Sequence, residues 1–378
     1  MRKLLALLFF TITLGTTQGA YAGPYEDAEA AYNREDYATA LSLFRLAAAQ
    51  GNAKAQYALG VMYEYGRGVV QDNKEAVKWY RLAADQGNAD GQYNLGFMYY
   101  VGKGFVEDDK EAVRLFGLAA AQGNSLAQNN LGIIYQYGQG VVEDRKEAEK
   151  WYRLAADQGL ADAQFNLALM YQTGQGVVED LKEALKWFRL AATQGHADAQ
   201  FNLGEMYRDG QGVPQDYKEA LKWYRLAADQ GLAQAQNVLG VMYQDGRGVV
   251  QDHKEAVKWY RLASAQGNAR AQYNLGFMYQ YGQGFVQDHE EAVRLYRLAA
   301  AQGYAIAQSF LGNMYEHGRG VVQNYVRAQM WFLLSVANGN SDASQYRDEV
   351  AKKLNSSQIQ QAQEMAQRCQ ASSYKQCD

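Results

Sequence analysis

What this 378-residue chain lacks narrows its class quickly. It has two cysteines, Cys369 and Cys377, and four histidines, so neither a disulfide framework nor a zinc cluster of the usual ligand spacing runs through its body. Its two prolines, Pro24 and Pro214, leave long stretches free of the residue that breaks helices. Beyond the first residues no apolar run is long enough to span a bilayer. Arg2 and Lys3 precede an apolar run from Leu4 to Leu14, and Ala20-Tyr21-Ala22 supplies the small residues of a cleavage site. Residues 1–22 therefore read as a signal peptide cut after Ala22, giving an exported, periplasmic or secreted product without stable membrane insertion. Removing Arg2 and Lys3 from the 37 basic residues leaves 35 against 41 acidic, a balance of −6, which argues against a nucleic-acid partner.

What is present is repetition. Ala-Gln recurs at Ala55-Gln56, Ala127-Gln128, Ala163-Gln164, Ala199-Gln200, Ala235-Gln236, Ala271-Gln272 and Ala307-Gln308, with Gly91-Gln92 in the remaining slot, at a period of 36 residues. Such a period marks one supersecondary unit stacked on copies of itself. In residues 52–87 the apolar spacing Ala55, Leu59, Met62, Tyr63 and then Ala76, Trp79, Tyr80, Ala83 predicts two helices per unit. Gly66-Arg67-Gly68 turns the chain between them, Asp72 and Glu75 form a capping-box pattern, and Gly87 is placed to close the second helix in a left-handed conformation. Gly60 and its copies sit inside the first helix at a cost of ~1 kcal/mol relative to alanine, which predicts a close helix crossing. Trp79, Trp151, Trp187, Trp223, Trp259 and Trp331 recur on the second helix and read as core.

Strings such as AQYNLGFMYQYGQGFVQDHEEAVRLYRLAAAQG resemble the Sel-one-like repeat (SLR) family, relatives of the tetratricopeptide repeats. The resemblance covers residues 52–339 as eight repeats. It implies an all-α fold, a right-handed α-solenoid superhelix of antiparallel helix pairs whose first helices line the concave side, and a non-catalytic scaffold holding a protein or peptide partner. Residues 25–51 read as an N-terminal helical capping unit, since Ala40, Leu43, Phe44 and Gly51 lie one period before Ala76, Trp79, Tyr80 and Gly87. Residues 340–378 read as a C-terminal helical cap: Val326, Met330 and Leu333 replace the charged Lys74, Lys78 and Arg81 of the first repeat and need a cover. The family's usual proline after Gly-x-Gly-Val survives only as Pro214.

The candidate partner-binding stripe faces away from Ala55 and Leu59 on the first helix. It comprises Tyr57, Tyr93, Phe165, Phe201 and Tyr273, beside the amides Asn94, Asn130, Asn166, Asn202 and Asn274. Rings offer contact area and amides pair with a peptide backbone; the same rings also suit packing between neighbouring helices. On the second helix Lys74, Lys78 and Arg81 form a basic stripe, a solvated face or a dock for an anionic cell-envelope polymer. No metal site or cofactor is expected, because His253 and His289 occupy equivalent positions without further ligands. Ser372-Ser373-Tyr374-Lys375 matches the Ser-x-x-Lys nucleophile motif but lacks its partner motifs. The cysteine-rich branch of the family linked to penicillin carries paired cysteines that these repeats lack, which counts against the alternative reading, a cell-wall-directed β-lactamase-like enzyme or peptidoglycan binder. Cys369 and Cys377 are expected to form one disulfide in an oxidising compartment, which requires the last helix to end soon after Cys369.

Overall fold

In the computed structural model, which describes residues 23–104, 106–374 and 377, every regular element is an α-helix. The expected signal segment 1–22 lies outside the described residues. The chain forms two compact units, Met1–Trp187 and Phe188–Asp378. Unit 1 contains α1 (Pro24–Asn33), α2 (Tyr37–Ala49), α3 (Ala53–Tyr65), α4 (Asn73–Asp85), α5 (Ala89–Val101), α6 (Asp109–Ala121), α7 (Ser125–Tyr137), α8 (Arg145–Asp157) and α9 (Ala161–Thr173). The unit boundary falls within α10 (Leu181–Thr193). Unit 2 continues with α11 (Ala197–Asp209), α12 (Tyr217–Asp229), α13 (Ala233–Asp245), α14 (His253–Ala265), α15 (Ala269–Tyr281), α16 (His289–Ala300), α17 (Ala305–His317), α18 (Tyr325–Ala337), α19 (Ala343–Ala351) and α20 (Ser356–Ala371).

Local chemistry sets each helix length. Asn52 accepts from the Ala55 amide at 2.9 Å to open α3, and Gly66 ends it in the left-handed region at φ 69°. Asp72 opens α4 by accepting from the amides of Lys74 and Glu75. The expected capping box is only half formed there: the Glu75 carboxylate takes Lys78 at 2.6 Å instead of turning back to the cap. A complete capping box occurs at α20, between Asn355 and Gln358. Gly87, at φ 82°, closes α4 as expected, with the Asn88 amide donating to the Ala83 carbonyl.

Within each pair the helices run antiparallel, Gln56 meeting Gln86 at one end and Glu64 meeting Tyr80 towards the other. The glycine inside the first helix is explained by an aromatic ring. A Cβ added at Gly60 or Gly132 would lie 2.4 or 2.5 Å from the ring of Tyr80 or Tyr152, and one at Gly240 would lie 2.4 Å from that of Tyr260. These rings cannot retreat, because their hydroxyls donate at 2.7 Å to Glu64, Gln136 and Gln244. The second loop glycine answers a different constraint: a Cβ on Gly248, at φ 71°, would stand 2.4 Å from the Tyr217 carbonyl oxygen of the preceding second helix. Of the tryptophan column, Trp187, Trp223 and Trp331 are buried, while Trp79, Trp151 and Trp259 are partly buried against apolar clusters.

At the C-terminal end of unit 2, Met330 and Leu334 of α18 are buried in one cluster with Val350 of α19 and Ala362, Ala366 and Cys369 of α20; Val326 and Leu333 pack at its edge. Lys353 reaches back to Glu316 of α17 at 2.8 Å. The exposed charges of earlier second helices are thus replaced here by an apolar face under two further helices.

Two predictions follow from this packing. Gly240→Ala should cost about 1–3 kcal/mol by overpacking against the anchored Tyr260, more than the ~1 kcal/mol gained in helix propensity. Gly96→Ala, whose Cβ would stand 3.1 Å from Leu115 and from an unanchored Phe116, should be close to neutral in the same thermal melt. Deleting residues 341–378 bares Met330 and Leu334, each side chain worth about 1.5–3 kcal/mol of burial, and should bring aggregation or a marked loss of Tm; an unchanged, monomeric melt would refute a capping role.

Candidate functional site

The stripe residues on the first helices are all half-buried, and Tyr57, Tyr93, Phe201 and Tyr273 each have a ring as floor. In unit 1 Tyr57 packs on Tyr80 with ring centroids 5.9 Å apart, and Tyr93 packs on Phe116 at 5.8 Å. In unit 2 Phe201 packs on Tyr224 at 5.6 Å and Tyr273 on Tyr296 at 5.9 Å. Burial is the main reason that the Tyr57 phenol titrates above its ordinary range and that Tyr93 and Tyr273 are pushed up to about 12.

The amide ladder links one pair to the next. Asn94 hydrogen bonds with the Tyr57 side chain and Asn130 with Tyr93. The Asn166 amide donates to Asn129 at 3.0 Å, and in unit 2 Asn274 donates to Asn237 at 3.0 Å. Asn202 instead donates to the Asp198 carbonyl at 2.8 Å. Phe165 is half-buried beside Asn166 on α9. The stripe is therefore both packing and surface: Tyr57, Tyr93, Phe201 and Tyr273 rest on the second helix while part of each ring stays open.

Sequence reasoning missed a more exposed row about two helix turns further on. Tyr65 and Tyr137 in unit 1 and Tyr281 in unit 2 are 47%, 57% and 52% exposed. They share one repeat position, where tyrosine recurs in three copies and Val101, Thr173, Asp209, Asp245 and His317 fill the others, so the sequence signal was weak. In unit 1 the Arg67 guanidinium and the Lys103 ammonium lie 5.6 and 5.8 Å from the Tyr65 ring centroid. In unit 2 Tyr281 adjoins an aromatic nest, with Phe277 4.5 Å from Tyr281 and Phe310 5.2 Å from Tyr273.

On the second-helix face acids next to the basic stripe take part of its charge. Lys78, Lys150, Lys222 and Lys258 pair with the glutamate three residues earlier at 2.5–3.2 Å. Arg81 reaches the next pair and donates to the Tyr99 hydroxyl at 2.7 Å, as Arg261 does to Tyr279 at 2.9 Å. Such exposed ion pairs each contribute about 0–1 kcal/mol; they compensate one lysine in each of those repeats, while Lys74 and its copies Lys146, Lys218 and Lys254 have no ion-pair partner among the described residues.

For the remaining motifs the structure supplies other roles. The His196 ring nitrogen accepts from the Ala199 amide as a helix cap. Among the described residues no group of three or more His, Cys, Asp or Glu side chains is placed to hold a metal ion. The Ser372 hydroxyl donates to the Cys369 carbonyl at 2.7 Å, while Lys375 lies outside the described residues. Cys369 and Cys377 are joined in a disulfide with Cα atoms 4.5 Å apart, after α20 ends at Ala371. No described helix is long and apolar enough to cross a membrane.

Stacked helix pairs joined by repeated side-chain rungs define an α-solenoid repeat protein, an architecture whose usual role is to scaffold protein–protein interactions. The Sel1 repeat model matches residues 29–52, 53–88, 89–124, 125–160, 161–196, 197–232, 233–268, 269–304 and 305–340, and the chain belongs to that family. The first match covers most of the stretch 25–51 expected as an N-terminal capping unit, so the family model finds nine repeats where eight were expected. The chain is similar to c5321, a protective antigen present in uropathogenic Escherichia coli strains that displays an SLR fold (32% identity, 93% of this chain and 92% of that one, TM-score 0.51). It is also similar to a Sel1 repeat protein from Oxalobacter formigenes (34% identity, 65% of this chain and 96% of that one, TM-score 0.59). No curated protein matches the sequence.

Export, read from residues 1–22, makes the cysteine pair testable. Purified without reductant, the mature protein should leave both thiols unlabelled by a maleimide, and reduction should lower local stability by about 2–3 kcal/mol at most, given so short a loop. Reaction of both cysteines before reduction would exclude the bond.

Proposed function

We propose that this protein is an exported, non-catalytic scaffold that holds an extended segment of a protein partner along the wall formed by its first helices. The observation that carries this reading is the row of partly buried rings on that wall, Tyr57, Tyr93 and Phe165 in unit 1 and Phe201 and Tyr273 in unit 2, flanked by the exposed Tyr65, Tyr137 and Tyr281. Monomeric soluble proteins seldom leave such apolar surface without use, and tyrosine contributes contact area at low entropic cost. Of the amides beside the rings, Asn94, Asn130, Asn166 and Asn274 each spend one hydrogen bond on the neighbouring pair, and Asn202 spends one on its own helix. An amide offers two donors and two acceptor lone pairs, so capacity remains for a peptide backbone. The E. coli relative's description as a protective antigen supports export, since an antigen must be reached by antibody.

The test separates surface from packing. A partner captured by crosslinking from the cell envelope or medium should be lost when Tyr65, Tyr137 and Tyr281 are changed together to serine, while the far-UV helical signal and Tm stay near those of the parent. Changing Phe165, Phe201, Asn166 and Asn202 to alanine should also weaken capture, with a lowered Tm because Phe201 and Asn166 carry packing contacts; large core truncations cost about 3–5 kcal/mol. Undiminished capture by both variants would place the binding surface elsewhere.

A further inference from the structure

The closing ends of the second helices are open in all repeats but one. Their glycines share one left-handed conformation, φ 77–94°. Among the described residues, no atom beyond the adjoining residues lies within 4 Å of a Cβ added at Gly51, Gly87 or Gly123 in unit 1, or at Gly195, Gly231 or Gly267 in unit 2. The amide that closes the following second helix lies 35 residues on, as Gln122 follows Gly87 and Gln302 follows Gly267. Its nitrogen is spent inside the solenoid, Gln122 donating to Gln92 at 2.8 Å and Gln302 to Gln272 at 2.8 Å, while its carbonyl oxygen accepts nothing among the described residues. One turn earlier on the same face a leucine is exposed. Leu82, Leu118 and Leu154 in unit 1 are 44–48% exposed, and Leu226, Leu262 and Leu298 in unit 2 are 41–50% exposed.

At the last pair the chain covers this end with its own tail. The Tyr374 ring lies against Gly303, 3.2 Å from the place of a Cβ, and its hydroxyl donates to the Asn338 carbonyl oxygen at 2.7 Å. Gly303 and Asn338 are half-buried where their counterparts in the other repeats are exposed, and Leu334, the counterpart of Leu298, is 1% exposed. Ser373 and Tyr374 both take a left-handed backbone, φ 52° and 64°, which residues with a Cβ adopt only at a cost. The contacts of the ring and the closure of the loop by Cys369–Cys377 hold it there. The tail thus shows in cis what the repeated edge accepts: a phenol laid on a closing glycine, its hydroxyl on the neighbouring amide.

We propose that the closing ends of the second helices form a second docking edge, which takes a tyrosine-bearing segment of a protein partner as the last pair takes Tyr374. The ring lies on the closing glycine, the hydroxyl donates to the amide carbonyl 35 residues on, and the flank of the segment covers the exposed leucine. Glutamine in place of Asn338 carries that carbonyl one methylene further out, towards the incoming phenol. A seat for one ring is weak by itself, and tyrosines of one segment that reach successive seats within a unit add to each other through effective concentration. This edge is separate from the first-helix wall and does not rest on it, because Tyr65 lies at the far end of the 13-residue α3, about 18 Å along the helix.

The probe is the chain's own tail supplied in trans, a synthetic disulfide-closed peptide of residues 369–377, titrated into the mature chain by ligand-observed NMR. The peptide should bind, and the same peptide with Tyr374→Phe should bind about two- to tenfold more weakly, the worth of one hydrogen bond. A version with photoleucine at the Ala371 position should crosslink, on mass-spectrometric mapping, to residues around Gly51, Gly87 and Gly123 in unit 1 and Gly195, Gly231 and Gly267 in unit 2. Asparagine tolerates the left-handed conformation and finds free space at these glycines, so changing all six to asparagine should retain Tm while weakening the peptide at least about tenfold. The serine variants of Tyr65, Tyr137 and Tyr281 should leave peptide binding unchanged, so the edge and the first-helix wall fail separately. Absence of binding, crosslinks confined to other surfaces, equal affinity of the phenylalanine peptide, or unaltered binding by the asparagine variant would each overturn the proposal. A dimer of the chain that the peptide dissociates would make the occupant a second copy and overturn the assignment to a separate partner.

Discussion

One buried amide in each repeat ties three helices together. The Gln128 Nε2 donates to the Ala120 carbonyl of the preceding second helix at 3.1 Å, and its Oε1 accepts from Gln158 of its own second helix at 2.7 Å. In unit 2 Gln272 does the same between Ser264 and Gln302. These glutamines are 0–6% exposed, where an unsatisfied polar group costs about 1–3 kcal/mol and a satisfied one contributes about 0.5–1.5. The asymmetry gives the stacking its register: a pair displaced along its neighbour would strand both ends of the amide. At the last pair Asn338 takes the place of the second glutamine, donating to Gln308 at 2.9 Å, and the Tyr374 hydroxyl donates to the other end of Asn338 at 2.7 Å. The disulfide-closed tail thus finishes a ladder that would otherwise end on an open acceptor.

Around that bridge the repeat is held by rings and glycines that depend on each other. The tyrosine of the second helix can lie against the first only because glycine is there, and its hydroxyl needs the polar residue four positions further along that helix, Glu64, Gln136, Gln244 or Gln280. Where glutamate takes the place of glutamine, a lysine supplies the counter-charge: Lys103 to Glu64 at 2.9 Å in unit 1 and Lys353 to Glu316 at 2.8 Å in unit 2. Removing either lysine would leave a nearly buried carboxylate uncompensated, which is costlier than losing an exposed pair.

The same economy of contacts limits what the first-helix wall can offer. Rungs between successive pairs consume part of most of the amides, and second-helix aromatics pack against Tyr57, Tyr93 and Tyr273, so neither a purely structural nor a purely recognitional description fits these rings. What remains open is ring surface and the spare hydrogen-bonding capacity of the amides.

Period, helix pairing, caps and the need for a terminal cover were legible in the sequence because each depends on residues within one repeat or on the comparison of copies. Asp72, Gly66 and Gly87 act on backbone groups a few residues away, and such chemistry reads directly from a string. The burial of Ala55, Leu59 and Met62 follows equally from helical spacing. Tertiary structure decided what lies across the gap between repeats. That Arg81 ends on Tyr99 rather than in solvent, that Glu75 takes Lys78 rather than closing a capping box, and that Asn94 is spent on Tyr57 are matters of which side chain arrives within about 3 Å of another. The helical wheel gives a direction for a residue within its own helix; it contains no information about the neighbouring helix that the residue meets.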